Sequence, residues 1–194
     1  VRRHEVLRTY FVTRQDEPVQ AIVPQLEIDV PLVDLSELDA ATREAEIKRR
    51  LQEEARKPFD LTRLPLLRST LFRMANDEHV LAITAHHIIF DGWSATVMLK
   101  EIEQLYEAFA TGRPSPLPDL AIQYADFSEW QRDYLQGDVF QEHLDYWKAQ
   151  FDPPPAVLEL PTDHPRPAQQ THNGAHWSHD LPADLMTELE NDRF

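Results

Sequence analysis

The sequence predicts an α/β fold, a mixed sheet flanked by helices. Two pairs of β-type segments are each joined by a short polar stretch, as in hairpins: 7–13 with 18–23, and 66–74 with 80–90. Between and after them, apolar residues recur at helical spacing. Strands interleaved with helices bury their apolar faces on one another, which layers helices on a sheet.

Taken in order, residues 1–5 read as the tail of a helix. Gln15-Asp16-Glu17 turns the first hairpin. Ile28, Val30 and Leu32 alternate within 27–34, a third short extended piece. Ser36 with Asp39 reads as a helix start, Ile47, Leu51 and Ala55 mark one face of that helix, and Pro58 stops it. Residues 75–79 join the two strongest strands, and 80–90 is apolar on both faces, which predicts an internal strand. After Asp91-Gly92, the stripe Met98, Ile102, Leu105, Phe109 marks a helix ended by Gly112 and Pro114. Residues 113–119 are a loop. A second helical region covers 124–151, broken near Gly137. Six prolines (Pro153, Pro154, Pro155, Pro161, Pro165, Pro167) make 152–174 a surface crossing or linker. A strand over 175–181 and a helix over 183–191 complete the chain.

A chain of 194 residues is long enough for one sizeable core or two very small ones, and 42% hydrophobic content excludes disorder. No apolar run approaches the roughly 20 residues of a spanning helix. A net charge of −15 repels phosphate backbones and argues against nucleic-acid binding. The absence of cysteine excludes disulfides and thiolate chemistry, and fits a reducing, cytoplasmic setting. The chain opens at Val1 with a motif starting at Arg3, so a piece of a longer protein is expected.

The segment His86-His87-Ile88-Ile89-Phe90-Asp91-Gly92-Trp93-Ser94 carries the chemistry. Neighbouring side chains of a strand point to opposite faces, so one histidine is presented and the other supports. An imidazole beside the N–H groups of a helix start can handle a proton while those groups hold an oxyanion. The alternatives are two core histidines bonded to backbone, or a zinc site of His86, His87 and Asp91. The zinc site fails because adjacent strand residues diverge and no third histidine is near.

This run resembles the H-H-x-x-x-D-G motif of condensation domains in nonribosomal peptide synthetases, members of the chloramphenicol acetyltransferase-like acyltransferases. Arg3-His4-Glu5-Val6-Leu7-Arg8-Thr9-Tyr10-Phe11 resembles the family's R-H-E-x-L-R-T-x-F. Tyr124-Ala125-Asp126-Phe127-Ser128-Glu129-Trp130 resembles its Y-x-D-F-x-x-W. Pro58-Phe59-Asp60-Leu61, Pro65-Leu66-Leu67-Arg68 and Leu158-Glu159-Leu160-Pro161-Thr162-Asp163 are also familial.

The resemblance implies a longer, two-lobed domain with its site between the lobes. Residues 1–194 would be most of the amino-terminal lobe, with 152–174 crossing toward the second lobe. The implied activity is peptide-bond formation between a donor acyl or peptidyl thioester and an acceptor aminoacyl thioester. Both ride on phosphopantetheine arms of carrier domains, beside an adenylation domain, and the domain itself binds no metal or cofactor. His87 matches the histidine that acts on the acceptor amine, as base or by positioning it. Gly92 leaves room for a thioester and offers an oxyanion N–H. His86 supports the strand, and Asp91 pairs with an arginine, Arg8 first and Arg3 second. Trp93 and Ser94 could reach substrate, though packing for Trp93 and helix capping for Ser94 are the simpler roles. Phe127 and Trp130 share a helix face, which predicts packing onto the lobe. Phe90 stands where the family often has a small residue, and could pack in the core or narrow a wall. His86 excludes the heterocyclising branch, which has Asp there. His164, His172, His176 and His179 lie outside these motifs and are read as surface or structural. The isolated piece is expected to be inactive. The alternatives are a related coenzyme A- or carrier-dependent acyltransferase making esters or amides, and a non-catalytic docking module.

Overall fold

The computed structural model describes residues 1–171, 174 and 177–191. It divides into two compact units, Val1–Tyr146 and Trp147–Phe194.

In the first unit, residues 1–5 are not a helix tail. A single 3-10 turn covers Glu5–Arg8, and the Thr9 hydroxyl closes it by donating to the Glu5 carbonyl at 2.8 Å. β1 (Thr9–Arg14) pairs antiparallel with β2 (Glu17–Ile22), Thr9 opposite Ile22 and Arg14 opposite Glu17. The turn is therefore two residues. Gln15 and Asp16 take φ of 51° and 63°, the mirror-image turn that matches strand twist. Glu17 belongs to the strand.

Of the extended piece expected over 27–34, only β3 (Leu32–Asp34) is a strand. It runs parallel to β4 (Leu67–Arg73), and β4 runs antiparallel to β5 (His79–Ala85), so the sheet is mixed, in the order β3-β4-β5. The internal strand is β4. β5, expected to be internal and to run to residue 90, lies at the edge among the described residues and stops at Ala85. The apolar run misleads because two uses of apolar residues abut. Leu81 to Ala85 belong to the sheet, whereas Ile89 and Phe90 anchor the turn that follows.

α1 (Ala40–Arg56) is capped by Asp39, whose side chain accepts the Thr42 N–H at 3.1 Å. Ser36 is not part of that start: its N–H and hydroxyl both go to Asp34, at 2.9 and 2.6 Å. α1 gives way to Lys57 and Pro58, as expected. α2 (Gly92–Ala110) keeps Met98, Ile102 and Leu105 half-buried, but its buried residue near the end is Ala108, and Phe109 is exposed. Gly112, at φ 69°, closes the helix.

The core joins Leu66, Leu67 and Ile89, packed by Val6, Leu7, Phe11, Phe59 and Phe90. It thus ties the start of β4 to the turn after β5 and to the first hairpin. α3 (Tyr124–Tyr134) and α4 (Gly137–Gln150) are separated at Gly137, φ 55°, where the break is expected.

In the second unit, residues 152–171 form no helix or strand, and α5 covers Ala183–Asn191. Of the strand expected over 175–181, residues 177–181 are irregular and 175–176 lie outside the described residues. Among the described residues no helix is long and apolar enough to cross a membrane.

Candidate functional site

The site grows from the end of the β4–β5 ladder, where Leu67 faces Ala85. One more bond, His86 N–H to the Leu66 carbonyl at 2.9 Å, carries the pairing past the strand. The chain then folds back on itself. The Ile89 N–H reaches the His86 carbonyl at 3.1 Å, and the Ile88 N–H reaches His86 Nδ1 at 3.0 Å. Both histidines therefore lie beyond the strand, and a turn, not the pleat, separates their rings. His86 is half-buried and meets Phe59 edge-on, ring centroids 5.9 Å apart at 86°. His87 is exposed and lines a cleft of about 120 Å³ with Val6, Phe90, Asp91, Ser94 and Tyr124.

Asp91 does not pair with an arginine. It is exposed and caps α2: its Oδ1 accepts the Ser94 N–H at 2.8 Å and the Ser94 hydroxyl at 2.6 Å. These two bonds, hydroxyl first, hold its carboxyl below the ordinary carboxylate range, and His87 adds the smallest contribution. A carboxylate satisfied by local donors in solvent has no need of a guanidinium. Ser94 is accordingly the residue that is capped, not the cap.

The two arginines hold the amino-terminal segment instead. Arg3 pairs with Glu101 of α2 and donates to the Pro118 carbonyl at 2.8 Å. Arg8 pairs with Glu5 at 3.0 Å and donates to the Val23 carbonyl. Trp93 is 78% exposed, so it does not pack at the helix start. Gly92 is the first residue of α2, and a Cβ built on it meets nothing within 4 Å. The first N–H groups of a helix find no carbonyl within it, so this end can donate to an anion. Phe90 both packs on the core and lines the cleft.

Sequence reasoning missed a clasp. His4 Nε2 lies 2.8 Å from Glu101 Oε2, and the Gln123 side chain accepts the Glu5 N–H at 3.0 Å while donating to the Arg3 carbonyl at 3.1 Å. Residues 3–5 are thereby pinned to α2 and to the start of α3. Of these, His4 lines a second cavity of about 240 Å³ with Phe90, Trp93, Met98, Glu101 and Tyr124. The available signal was Glu101 itself, a carboxylate seven residues after Ser94 on the same helix face.

The aromatic residues of α3 do not bury. Tyr124, Phe127, Trp130 and Tyr134 follow one another with ring centroids 6.0, 5.6 and 5.2 Å apart, the first two pairs tilted and Trp130 stacked on Tyr134, and all stay exposed. Asp126 accepts the Gln123 N–H at 2.7 Å and so secures the helix start. His164 and His179 are exposed, and His172 and His176 lie outside the described residues. Among the described residues, no group of three or more His, Asp or Glu side chains is placed to hold a metal ion.

Residues 1–192 match the profile of a protein family described as Condensation domain. The chain is 46% identical over 190 residues to one of the subunits of linear gramicidin synthase from Brevibacillus parabrevis, a match that covers 98% of this chain and 2% of the gramicidin protein. It is 48% identical over 177 residues to chondramide synthase cmdD of Chondromyces crocatus, covering 91% of this chain and 4% of the synthase. Among solved structures, the EpoB NRPS cyclization-docking bidomain from Sorangium cellulosum matches with a TM-score of 0.72 at 25% identity, over 98% of this chain and 37% of that one. The X-domain in complex with OxyB from teicoplanin biosynthesis matches with a TM-score of 0.73 at 30% identity, over 86% of this chain and 36% of that one. The chain thus spans a few per cent of the length of these synthases.

Proposed function

The chain belongs to the condensation-domain family, and from that we propose that it forms one wall of a site making peptide bonds in nonribosomal peptide synthesis. The observation that carries this reading is His87, exposed in its cleft beside the open start of α2, within an intact H-H-x-x-x-D-G run. The donor acyl or peptidyl group and the acceptor aminoacyl group arrive as thioesters on phosphopantetheine arms of carrier domains, charged by an adenylation domain. The acceptor amine attacks the donor carbonyl. A C–N bond forms, the C–S bond breaks, and the donor arm leaves as thiol. His87 takes up or positions the proton that the amine sheds. The N–H at Gly92 faces the carbonyl oxygen as charge builds on it, and the absence of a side chain there admits the thioester. Asp91 supports the site by fixing the helix start, and Arg3, Arg8 and His86 hold the segments around the cleft. Trp93 and Ser94 stand at the rim, within reach of an incoming arm.

On this reading residues 1–194 are most of one lobe, 152–174 lead toward the second, the isolated chain is inactive, and the parent enzyme works in the cytoplasm. The test is a dipeptide-forming assay in the synthetase that carries this chain, with both carriers loaded. His87→Ala is expected to lower turnover about 10²–10⁴-fold with an unchanged melt. Wild-type turnover in that variant overturns the reading. Transfer by the unaltered enzyme only from coenzyme A, or only to an alcohol, favours the related acyltransferase, and no transfer at all favours a docking module.

A further inference from the structure

The ring that does not face the cleft is held from behind. His86 Nδ1 accepts the Ile88 N–H at 3.0 Å, a bond a neutral imidazole makes with its proton on Nε2. The chain builds the same turn with a carboxylate elsewhere: Asp34 accepts the Ser36 N–H, two residues on, at 2.9 Å. A carboxylate reaches that N–H with either oxygen, whereas an imidazole reaches it only when its ring is set at the right angle. The setting comes from outside the turn. Phe59 meets the His86 ring edge-on at 5.9 Å. The Arg68 guanidinium lies 3.7 Å over the Phe59 centroid, and Arg68 in turn pairs with Glu54 and donates to the Lys57 carbonyl at 2.9 Å. A residue of β4 thus ties the end of α1 to one face of His86.

We propose that Phe59 and Arg68 are positioning residues for His87: they fix the His86 ring so that Nδ1 holds the turn presenting His87 to the cleft. The proposal rests on the role given to His87 above. It accounts for two motif segments, Pro58-Phe59-Asp60-Leu61 and Pro65-Leu66-Leu67-Arg68, that the reaction itself does not use.

The test follows the ring nitrogens of His86 and the exchange of the Ile88 amide in the ¹⁵N-labelled chain, beside turnover in the parent synthetase. Phe59→Leu is expected to lose the single His86 tautomer and to speed Ile88 exchange roughly tenfold, the upper end for one neutral hydrogen bond. Arg68→Met leaves the Phe59 ring in place and moves both readouts the same way by less, which covers a Phe59 variant that fails to fold. The decisive arm is rescue. Asparagine at 86 brings its own short acceptor and needs no wall, so the double variant Phe59→Leu, His86→Asn recovers slow Ile88 exchange, whereas Phe59→Leu, His86→Ala does not. Wild-type tautomer and exchange in Phe59→Leu overturn the proposal, and so does a Phe59→Leu, His86→Asn variant that exchanges as fast as Phe59→Leu alone. Both shifts with unaltered turnover support the clamp and overturn instead the role of His87.

Discussion

Two strand-to-helix connections in this chain are built to one plan. β3 leads to α1 through residues 34–39, and β5 leads to α2 through 86–91. In each, the first side chain accepts an N–H two residues on: Asp34 from Ser36, His86 from Ile88. In each, an aspartate five residues later caps the helix: Asp39 takes the Thr42 N–H and hydroxyl, and Asp91 takes those of Ser94. In each, one aliphatic side chain is buried to 4% exposure, Leu35 or Ile89. Only the second connection carries the family motif. The anchor and the cap are therefore what such a turn needs in general, and Asp91 performs inside the motif the task Asp39 performs outside it. The buried anchor directly follows the acceptor in the first connection, at Leu35, and comes three residues after it in the second, at Ile89. Two further differences bear on the site. The turn acceptor becomes an imidazole, followed by a second imidazole on the cleft. The residue after the cap is Ala40 in one helix and Gly92 in the other. Alanine is the better helix former, and a Cβ at 92 meets nothing within 4 Å. Neither backbone nor packing among the described residues calls for glycine there, and the proposed function gives it one role, to admit the thioester.

The anchors break the likeness first if it is false. Ile89→Ala and Leu35→Ala are each expected to lose about 2–5 kcal/mol in denaturant unfolding. A loss below about 1 kcal/mol at either would mean that its turn does not hold its helix. Gly92→Ala sharpens the contrast. The variant should melt at or above the parent, because alanine favours the helix and finds room. Its turnover should fall by about 10²-fold, the effect of displacing a reacting group by a methyl's width. Full turnover in Gly92→Ala would return the glycine to chance.

What the sequence shows, and what it hides, divides along the same lines. Helix ends at Pro58, Gly112 and Gly137 and the hairpin partners are legible because local chemistry decides them. The extent of β5 is not, because Ile89 is apolar for the sake of a turn and periodicity does not distinguish that from a strand. Asp91 reads equally well as a cap or as a carboxylate awaiting a guanidinium, and the motif arginines invite the second reading. The structure spends Arg3 on Glu101 and Arg8 on Glu5. The clasp joins His4 to a residue 97 positions away, a pairing that no local pattern announces. The family itself is legible, since its motifs stand in order along the chain.

The caps come next in size. Asp39→Ala and Asp91→Ala should each lower the melting temperature by about 2–4 °C, and the asparagine variants by less, because the amide oxygen still accepts. Matching losses keep the two connections equivalent. A loss at 91 several times that at 39 would show a charged partner for Asp91 beyond Ser94 and His87.

The smallest effect is electrostatic, and it separates the two caps by their neighbours. Both carboxyls are held below the ordinary carboxylate range, Asp39 first by the Thr42 hydroxyl and Asp91 first by the Ser94 hydroxyl, each then by the backbone N–H of the same residue. In each case the folded value lies below the unfolded one, so the unfolded chain takes up the proton first as pH falls. The stabilisation is complete above the ordinary carboxylate range and is lost as pH drops through the depressed folded value. Each contribution is small, because both groups are fully exposed. His87 acts on Asp91 alone. Carboxyl-carbon titration should therefore place both midpoints below the ordinary value, and His87→Ala should raise that of Asp91 slightly while Asp39 stays where it was. An Asp91 midpoint at the ordinary value would mean that the Ser94 bonds do not persist in solution. An equal shift at Asp39 would mean that His87 acts through the fold as a whole and not across the cleft.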